Sequence, residues 1–131
     1  MQRTADDGGI IISCDFCGVD WDPYGTADQP AMTEGHRGSV LCVNCLRKAM
    51  DAIRAGKAWR DEPFKCALCL KEHGVKVPGW SWVADEGEVV PAGRNVDAVL
   101  CYDCVRLAAK TFHKDKDVDF RWDATEFPPL G

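Results

Sequence analysis

Val40-Leu41-Cys42-Val43-Asn44-Cys45-Leu46-Arg47 aligns without a gap on Val99-Leu100-Cys101-Tyr102-Asp103-Cys104-Val105-Arg106. Further on, Ala49, Met50 and Ile53 fall on Ala108, Ala109 and Phe112. A match of this kind means one supersecondary unit used twice. In both copies a C-x-x-C pair heads a helical pattern. Leu46, Ala49, Met50 and Ile53 recur at i, i+3, i+4 and i+7, as do Val105, Ala108, Ala109 and Phe112, so each copy predicts an amphipathic helix with one apolar stripe.

Working outward, the remaining cysteines form the same pairs, Cys14 with Cys17 and Cys66 with Cys69, so all eight cysteines lie in C-x-x-C motifs. The units therefore span residues 10–60 and 63–113, with a flexible N-terminus at 1–9 and a C-terminal tail at 114–131. Gly56 is placed to stop the first helix and Pro63 to start the second unit, while Asn44 and Asp103 stand where N-caps are expected. Turn residues punctuate the stretch before each helix: Gly18, Asp22-Pro23, Gly25, Gly35 and Gly38, then Pro78-Gly79, Glu86-Gly87 and Pro91 to Gly93. Strands are expected at Val75 to Val77, Trp80 to Val83 and Val96 to Leu100.

Two cysteines three apart on a tight turn present both sulfurs to one point, and two more in the first turn of a helix share a face. Together they make a tetrahedron that suits zinc, whose thiolate bonds are about 2.3 Å and which imposes no geometry of its own. The helix N-terminus offsets part of the repulsion among four thiolates. The ligand sets are Cys14, Cys17, Cys42 and Cys45 for one ion and Cys66, Cys69, Cys101 and Cys104 for the other. Duplication of a whole finger preserves sequential ligands; a cross-braced set, first pair with third and second with fourth, is the alternative. Iron is the alternative metal, because Cys17-Gly18 begins like a rubredoxin knuckle. However, helical patterns follow both later pairs where a second knuckle is required. His36, His73 and His113 are candidate substitutes for a cysteine or donors to the ligands, but read more simply as polar residues of loops and a helix end.

Composition bounds the rest. At 131 residues with a hydrophobic fraction of 46%, the chain is a small α+β, metal-stabilised protein rather than a disordered one. The N-terminus is polar and the apolar run Ile10 to Ile12 is too short for a signal or a membrane span, which points to the cytoplasm. Thiols there stay free or bind metal, whereas disulfide frameworks belong mainly to secreted chains. The net charge of −5 falls to about −9 once two zinc tetrathiolates are counted, which makes nucleic acid a poor default partner.

Cys14-Asp15-Phe16-Cys17-Gly18, with Gly38-Ser39-Val40-Leu41-Cys42-Val43-Asn44-Cys45-Leu46 beyond it, resembles the N-terminal zinc-binding domain of the ClpX unfoldase. The second unit matches at its later pair and helix but carries Leu70 where glycine follows the first knuckle. The resemblance implies a treble clef of knuckle, β-hairpin and helix in each unit, without the ATPase domain. It also implies docking of adaptors or substrates, and packing of the two copies as an internal pseudo-dimer or association as a homodimer.

Four thiolates close the coordination sphere, so the expectation is a non-enzymatic protein–protein interaction or adaptor module with two Zn²⁺ and an unidentified protein partner. Two other classes compete. Arg47, Lys48, Arg54, Lys57 and Arg60 enrich the first helix region, and the five tryptophans offer stacking faces, as in nucleic-acid binders. Zinc thiolates also serve as redox sensors. Trp59, Trp80 and Trp82 are expected either to join the two units or to form a surface. Leu107 is expected to face away from its helix's stripe, and the aromatic tail around Phe120, Trp122 and Phe127 either docks elsewhere or folds back.

Overall fold

The computed structural model describes residues 2–4, 8, 10–21, 30–35, 38–83, 98–116, 118–123 and 125–129. His36, Leu130 and the turn residues at 22, 23, 25, 86, 87 and 91–93 lie outside them. Among the described residues the chain is a small α+β fold. Its elements run β1 (Gln2–Thr4), β2 (Ile10–Ser13), β3 (Asp20–Trp21), β4 (Met32–Glu34), β5 (Val40–Cys42), α1 (Val43–Arg54), β6 (Trp59–Arg60), β7 (Phe64–Lys65), β8 (Glu72–His73), β9 (Val77–Trp80), β10 (Leu100–Cys101) and α2 (Tyr102–Lys114).

The helices form where the repeat places them. α1 buries Val43, Cys45, Leu46, Ala49 and Met50, and α2 buries Tyr102, Cys104, Val105, Ala108, Ala109 and Phe112. Their N-caps are the cysteines Cys42 and Cys101, both with extended backbone, and not Asn44 or Asp103. In α1 the Cys42 sulfur accepts the Cys45 N–H, the role a serine oxygen has in an ordinary cap, so the ligand pair and the cap are one device. Gly56 ends α1 as expected. At φ +70° it donates to the Ile53 carbonyl while Lys57 donates to that of Ala52, a glycine-terminated Schellman motif.

Small antiparallel sheets surround the helices, in the orders β1-β2-β3, β4-β5, β7-β8 and β10-β9-β6. Gln2–Thr4 pairs with β2 as β1, with Gln2 opposite Ile12 and Thr4 opposite Ile10. Pro78-Gly79, expected as a turn between strands at Val75 to Val77 and Trp80 to Val83, instead lies inside a single strand, β9, from Val77 to Trp80. Gly79 is needed there because a Cβ would stand 2.7 Å from the Phe64 ring and 3.0 Å from Val99 Cγ1.

The core runs through both copies of the repeat. β6 follows α1 yet pairs with β9, Trp59 opposite Pro78 and Arg60 opposite Val77. The Phe16 ring, on the first knuckle, lies 5.9 Å from that of Trp80 on β9. On the other side Leu68, on the second knuckle, packs against Gly35, and its carbonyl accepts the Ser39 hydroxyl at 3.1 Å. α1 and α2 touch directly. Full burial of a side chain such as Phe16, Leu41 or Leu100 contributes about 1.5–3 kcal/mol, so neither half keeps its apolar surface covered alone.

The tail folds back across both helices. Phe120 and Phe127 are buried, and Phe127 lies 5.7 Å from Trp122 and 6.5 Å from Tyr102, ring centre to ring centre. Tyr102 donates to the Pro128 carbonyl at 2.7 Å and Arg106 to that of Phe127 at 2.9 Å.

Candidate metal centres

Both knuckles use the same backbone bonds. In the first, Gly18 N–H donates to the Cys14 carbonyl and Cys14 N–H to that of Val19, each at 2.9 Å; in the second, Leu70 and Cys66 donate to Cys66 and Lys71 at the same distance. The turn closes through a left-handed residue, Gly18 at φ +81° and Leu70 at φ +64°. Each knuckle is also tied to the strand that carries the third ligand. Asp15 N–H donates to Val40 O at 2.9 Å, and Ala67 N–H to Val99 O at 2.8 Å. Val40 and Val99 are repeat partners, so the duplication extends to individual hydrogen bonds.

This framework gathers Cys14, Cys17, Cys42 and Cys45 into one tetrad and Cys66, Cys69, Cys101 and Cys104 into the other, with all four sulfurs of a set within 4.8 Å of one another. The cross-braced grouping would join pairs that stand in different tetrads. Sulfur–sulfur separations are 3.7 Å for Cys14–Cys45, 3.8 Å for Cys17–Cys42, 3.7 Å for Cys66–Cys104 and 3.8 Å for Cys69–Cys101. A disulfide requires about 2.05 Å. A tetrahedron with metal–sulfur bonds of about 2.3 Å has edges of about 3.8 Å, so both tetrads have the dimensions of a zinc tetrathiolate.

The surroundings fit thiolates. Cys14 Sγ accepts the Cys42 N–H at 3.4 Å, and Cys66 Sγ accepts those of Cys101 and Leu68 at the same distance. Three sulfurs of each set are buried, and Cys17 and Cys69 are half-buried. The tetrads also resist carrying four charges unaided. Cys14 is held far below the ordinary thiol range, chiefly by its hydrogen bond with Cys17, whereas Cys45 is pushed far above it, chiefly by its bond to Cys14. Cys66 is likewise lowered, chiefly by Cys101, and Cys104 raised, chiefly by the same neighbour. Four close thiols that cannot ionise together are the setting a divalent cation stabilises.

The histidines stand apart from both tetrads where they are described. His73 stacks on Phe64 at 5.1 Å, its Nε2 buried without a hydrogen-bond partner, and His113 Nδ1 accepts the Trp122 N–H at 3.2 Å.

The basic residues of the first helix region are largely engaged within the fold. Arg47 donates to the Asp119 carbonyl at 2.6 Å, Arg54 pairs with Asp51 and Glu126, and Arg60 bonds to the Gly79 carbonyl and Ser81. Lys48 Nζ lies 5.4 Å above the Trp82 ring. Of the tryptophans singled out, Trp80 and Trp82 are buried and Trp59 is exposed, as is Leu107. Among the described residues no helix is long and apolar enough to cross a membrane. Comparison of the chain with protein-family models, with curated proteins and with solved structures finds no match.

Proposed function

We propose that this protein is a non-enzymatic structural-zinc module that acts by binding another protein, built as two treble-clef-like fingers packed as an internal pseudo-dimer. The observation that carries the reading is the 3.7–3.8 Å sulfur spacing in both tetrads. A cation held by four sulfurs at that spacing has its sphere filled, with no position left for the water a hydrolytic zinc requires. Each zinc would fasten a knuckle to a strand and a helix N-terminus, and the binding surface would come from what those elements carry. The pseudo-dimer reading is supported by reciprocal contacts, the first knuckle's Phe16 on β9 and the second knuckle's Leu68 on the β4–β5 hairpin. Cysteines arranged to hold metal suit a reducing compartment, so the cytoplasm is the proposed location.

Engagement of Arg47, Arg54, Arg60 and Lys48 inside the fold weighs against nucleic acid as the ligand, as does the net charge of −5. The test is twofold. Mass spectrometry of the native protein should find two zinc ions per chain, and titration with a single-stranded oligonucleotide at low salt should find no binding. Tight binding that weakens steeply with salt would replace the protein-binding reading by the nucleic-acid one.

A further inference from the structure

We propose that the face of α1 and α2 beneath the tail is the surface by which this module binds its partner, and that residues 118–129 are a strap lying where a partner segment docks. That segment presents two aromatic residues seven apart with a carboxylate directly before the second, as Phe120, Glu126 and Phe127 do in the strap. The inference rests on the protein-binding reading above and specifies where, and by what chemistry, such a module is engaged.

The internal repeat shows how the face is built. Arg47 of α1 and Arg106 of α2 are repeat partners, and each donates to a tail carbonyl, that of Asp119 at 2.6 Å and that of Phe127 at 2.9 Å. Seven residues on, Arg54 and His113 are again partners. Arg54 pairs with Glu126 at 2.8 Å, and His113 Nδ1 accepts the Trp122 N–H at 3.2 Å. Positions seven apart share a helix face, so the equivalent face of each finger's helix grips the same stretch of chain.

The aromatic rings sit between the helices. Phe120 has the Arg47 guanidinium, in the first half of α1, at 5.6 Å and the Phe112 ring, in the last turn of α2, at 5.9 Å. Phe127 has the Tyr102 ring, at the start of α2, at 6.5 Å and the Arg54 guanidinium, at the end of α1, at 5.0 Å. Two related seats result, each made from the first half of one helix and the last turn of the other.

The tail lies on these seats as a ligand does. Among the described residues of 118–129 there is no helix or strand, and the arginines hold carbonyls that a segment of any sequence supplies. The Arg54–Glu126 pair is nearly half exposed on both sides. A cleft of about 220 Å³ remains between α1 and the tail, lined by Met50, Asp51 and Arg54 on one side and Asp119, Phe120 and Arg121 on the other. Packed interiors leave few voids larger than a water molecule, so a segment that also filled this cleft would hold the face more tightly than the tail does. Until one arrives the tether keeps the tail in place, since a short linker gives an effective concentration in the millimolar range. Arg47, Arg54 and Arg106 set three guanidinium groups on this face of an acidic chain, which selects the carboxylate of the incoming segment.

The experiment uses the full zinc-loaded chain and a capped, fluorescently labelled peptide with the sequence of residues 118–129, its binding read by anisotropy. Phe127→Ala in the chain unseats the tail and leaves the face intact, so the peptide should bind this variant at least about tenfold more tightly than it binds the parent. Replacing both phenylalanines of the peptide by alanine should weaken binding at least about tenfold, and adding Arg106→Ala to the variant at least about fivefold. Native mass spectrometry should find two zinc ions in each chain. If Phe127→Ala does not fold, the parent with a protease site inserted after Lys116 is cut once folded, and the labelled peptide should then replace the severed tail. A tail that is simply part of the core gives the opposite results. Lower stability of Phe127→Ala with no gain in peptide binding, or a severed tail that does not exchange, overturns the proposal. Dimers of the parent that the peptide dissociates would overturn it too, by assigning the face to tail exchange between copies. Failure here leaves the protein-binding reading standing; that reading falls only to the oligonucleotide result above.

Discussion

Leu70 closes the second knuckle in the backbone conformation that Gly18 adopts in the first, φ +64° against +81°, and each donates its N–H to the carbonyl of the first cysteine in its pair at 2.9 Å. A leucine held in the left-handed region costs about 1–2 kcal/mol, whereas glycine enters it freely but loses about 0.5–1 kcal/mol more entropy on folding. Leu70→Gly should therefore leave stability unchanged or raise it by up to about 1 kcal/mol, and Gly18→Ala should lower it by about 1–2 kcal/mol. Denaturant titrations at one fixed free zinc concentration measure both, since unequal metal activity shifts apparent stability by itself. Equal stability of Gly18→Ala and the parent would show that the first knuckle does not need its positive φ.

The second prediction concerns Gly35. A Cβ there would lie 2.2 Å from the Leu68 carbonyl oxygen and 2.7 Å from its side chain, so Gly35→Ala must separate the second knuckle from the β4–β5 hairpin. Overpacking of this kind costs about 1–3 kcal/mol. Adding Leu68→Ala should restore little, because the nearest clashing atom belongs to the backbone and remains. Stability of the single and double variants in urea is the measurement. Full rescue by Leu68→Ala would mean that the side chain, and not the carbonyl, sets the approach.

How much of this was legible in the sequence depends on the range of the interaction. The tetrads, the repeat and both helical stripes are local patterns, C-x-x-C pairs at the head of an i, i+3, i+4, i+7 series, and they read directly. Pairings that need a distant partner did not. Nothing near Trp59 announces that it will pair with Pro78, and the Gln2–Thr4 strand depends on Ile10–Ser13 for its hydrogen bonds. Residue preference places the caps at Asn44 and Asp103, but the cysteine before each first turn already occupies the cap position in order to present its sulfur. The register that sets Thr33 opposite Leu41 and Trp80 opposite Leu100 lies outside the aligned motifs and emerges only in the sheets. The sign of Leu70 φ follows only from the shared knuckle bonds.

The third prediction separates burial from charge in the tail. Phe127 is 1% exposed, with the Arg54 guanidinium 5.0 Å from its ring, and truncation of a buried phenylalanine costs about 3–5 kcal/mol. Its neighbour Glu126 pairs with Arg54 at 2.8 Å, but both side chains are nearly half exposed, and surface pairs are worth about 0–1 kcal/mol. Phe127→Ala should therefore cost several times more than Glu126→Ala, and Trp122 emission should shift to the red as its stacked partner is lost. Comparable losses from the two substitutions would move the attachment of the tail from packing to electrostatics.

The last prediction is metal removal. Structural zinc contributes about 10–16 kcal/mol in finger peptides, against a net stability of about 5–15 kcal/mol for a whole domain, so chelation should unfold the chain. Acid should do the same. Zinc keeps its cysteines as thiolates far below the unfolded thiol value of about 8.5, so the stability from ligation is present at high pH and lost as protons displace the metal. Cys104→Ser removes one ligand from a set whose sulfurs lie within 4.8 Å of one another, and should leave one zinc per chain. Its effect should not stop at its own unit. β6 is hydrogen-bonded to β9, Phe16 rests on Trp80 and α1 touches α2, so collapse of the second finger exposes apolar surface on the first. Helicity in Cys104→Ser should fall by more than α2 alone supplies, with Cys45→Ser giving the mirror result. A one-zinc variant that keeps all of α1 would show that the first finger is stable without its partner, and native circular dichroism after complete chelation would remove zinc from the account of the fold.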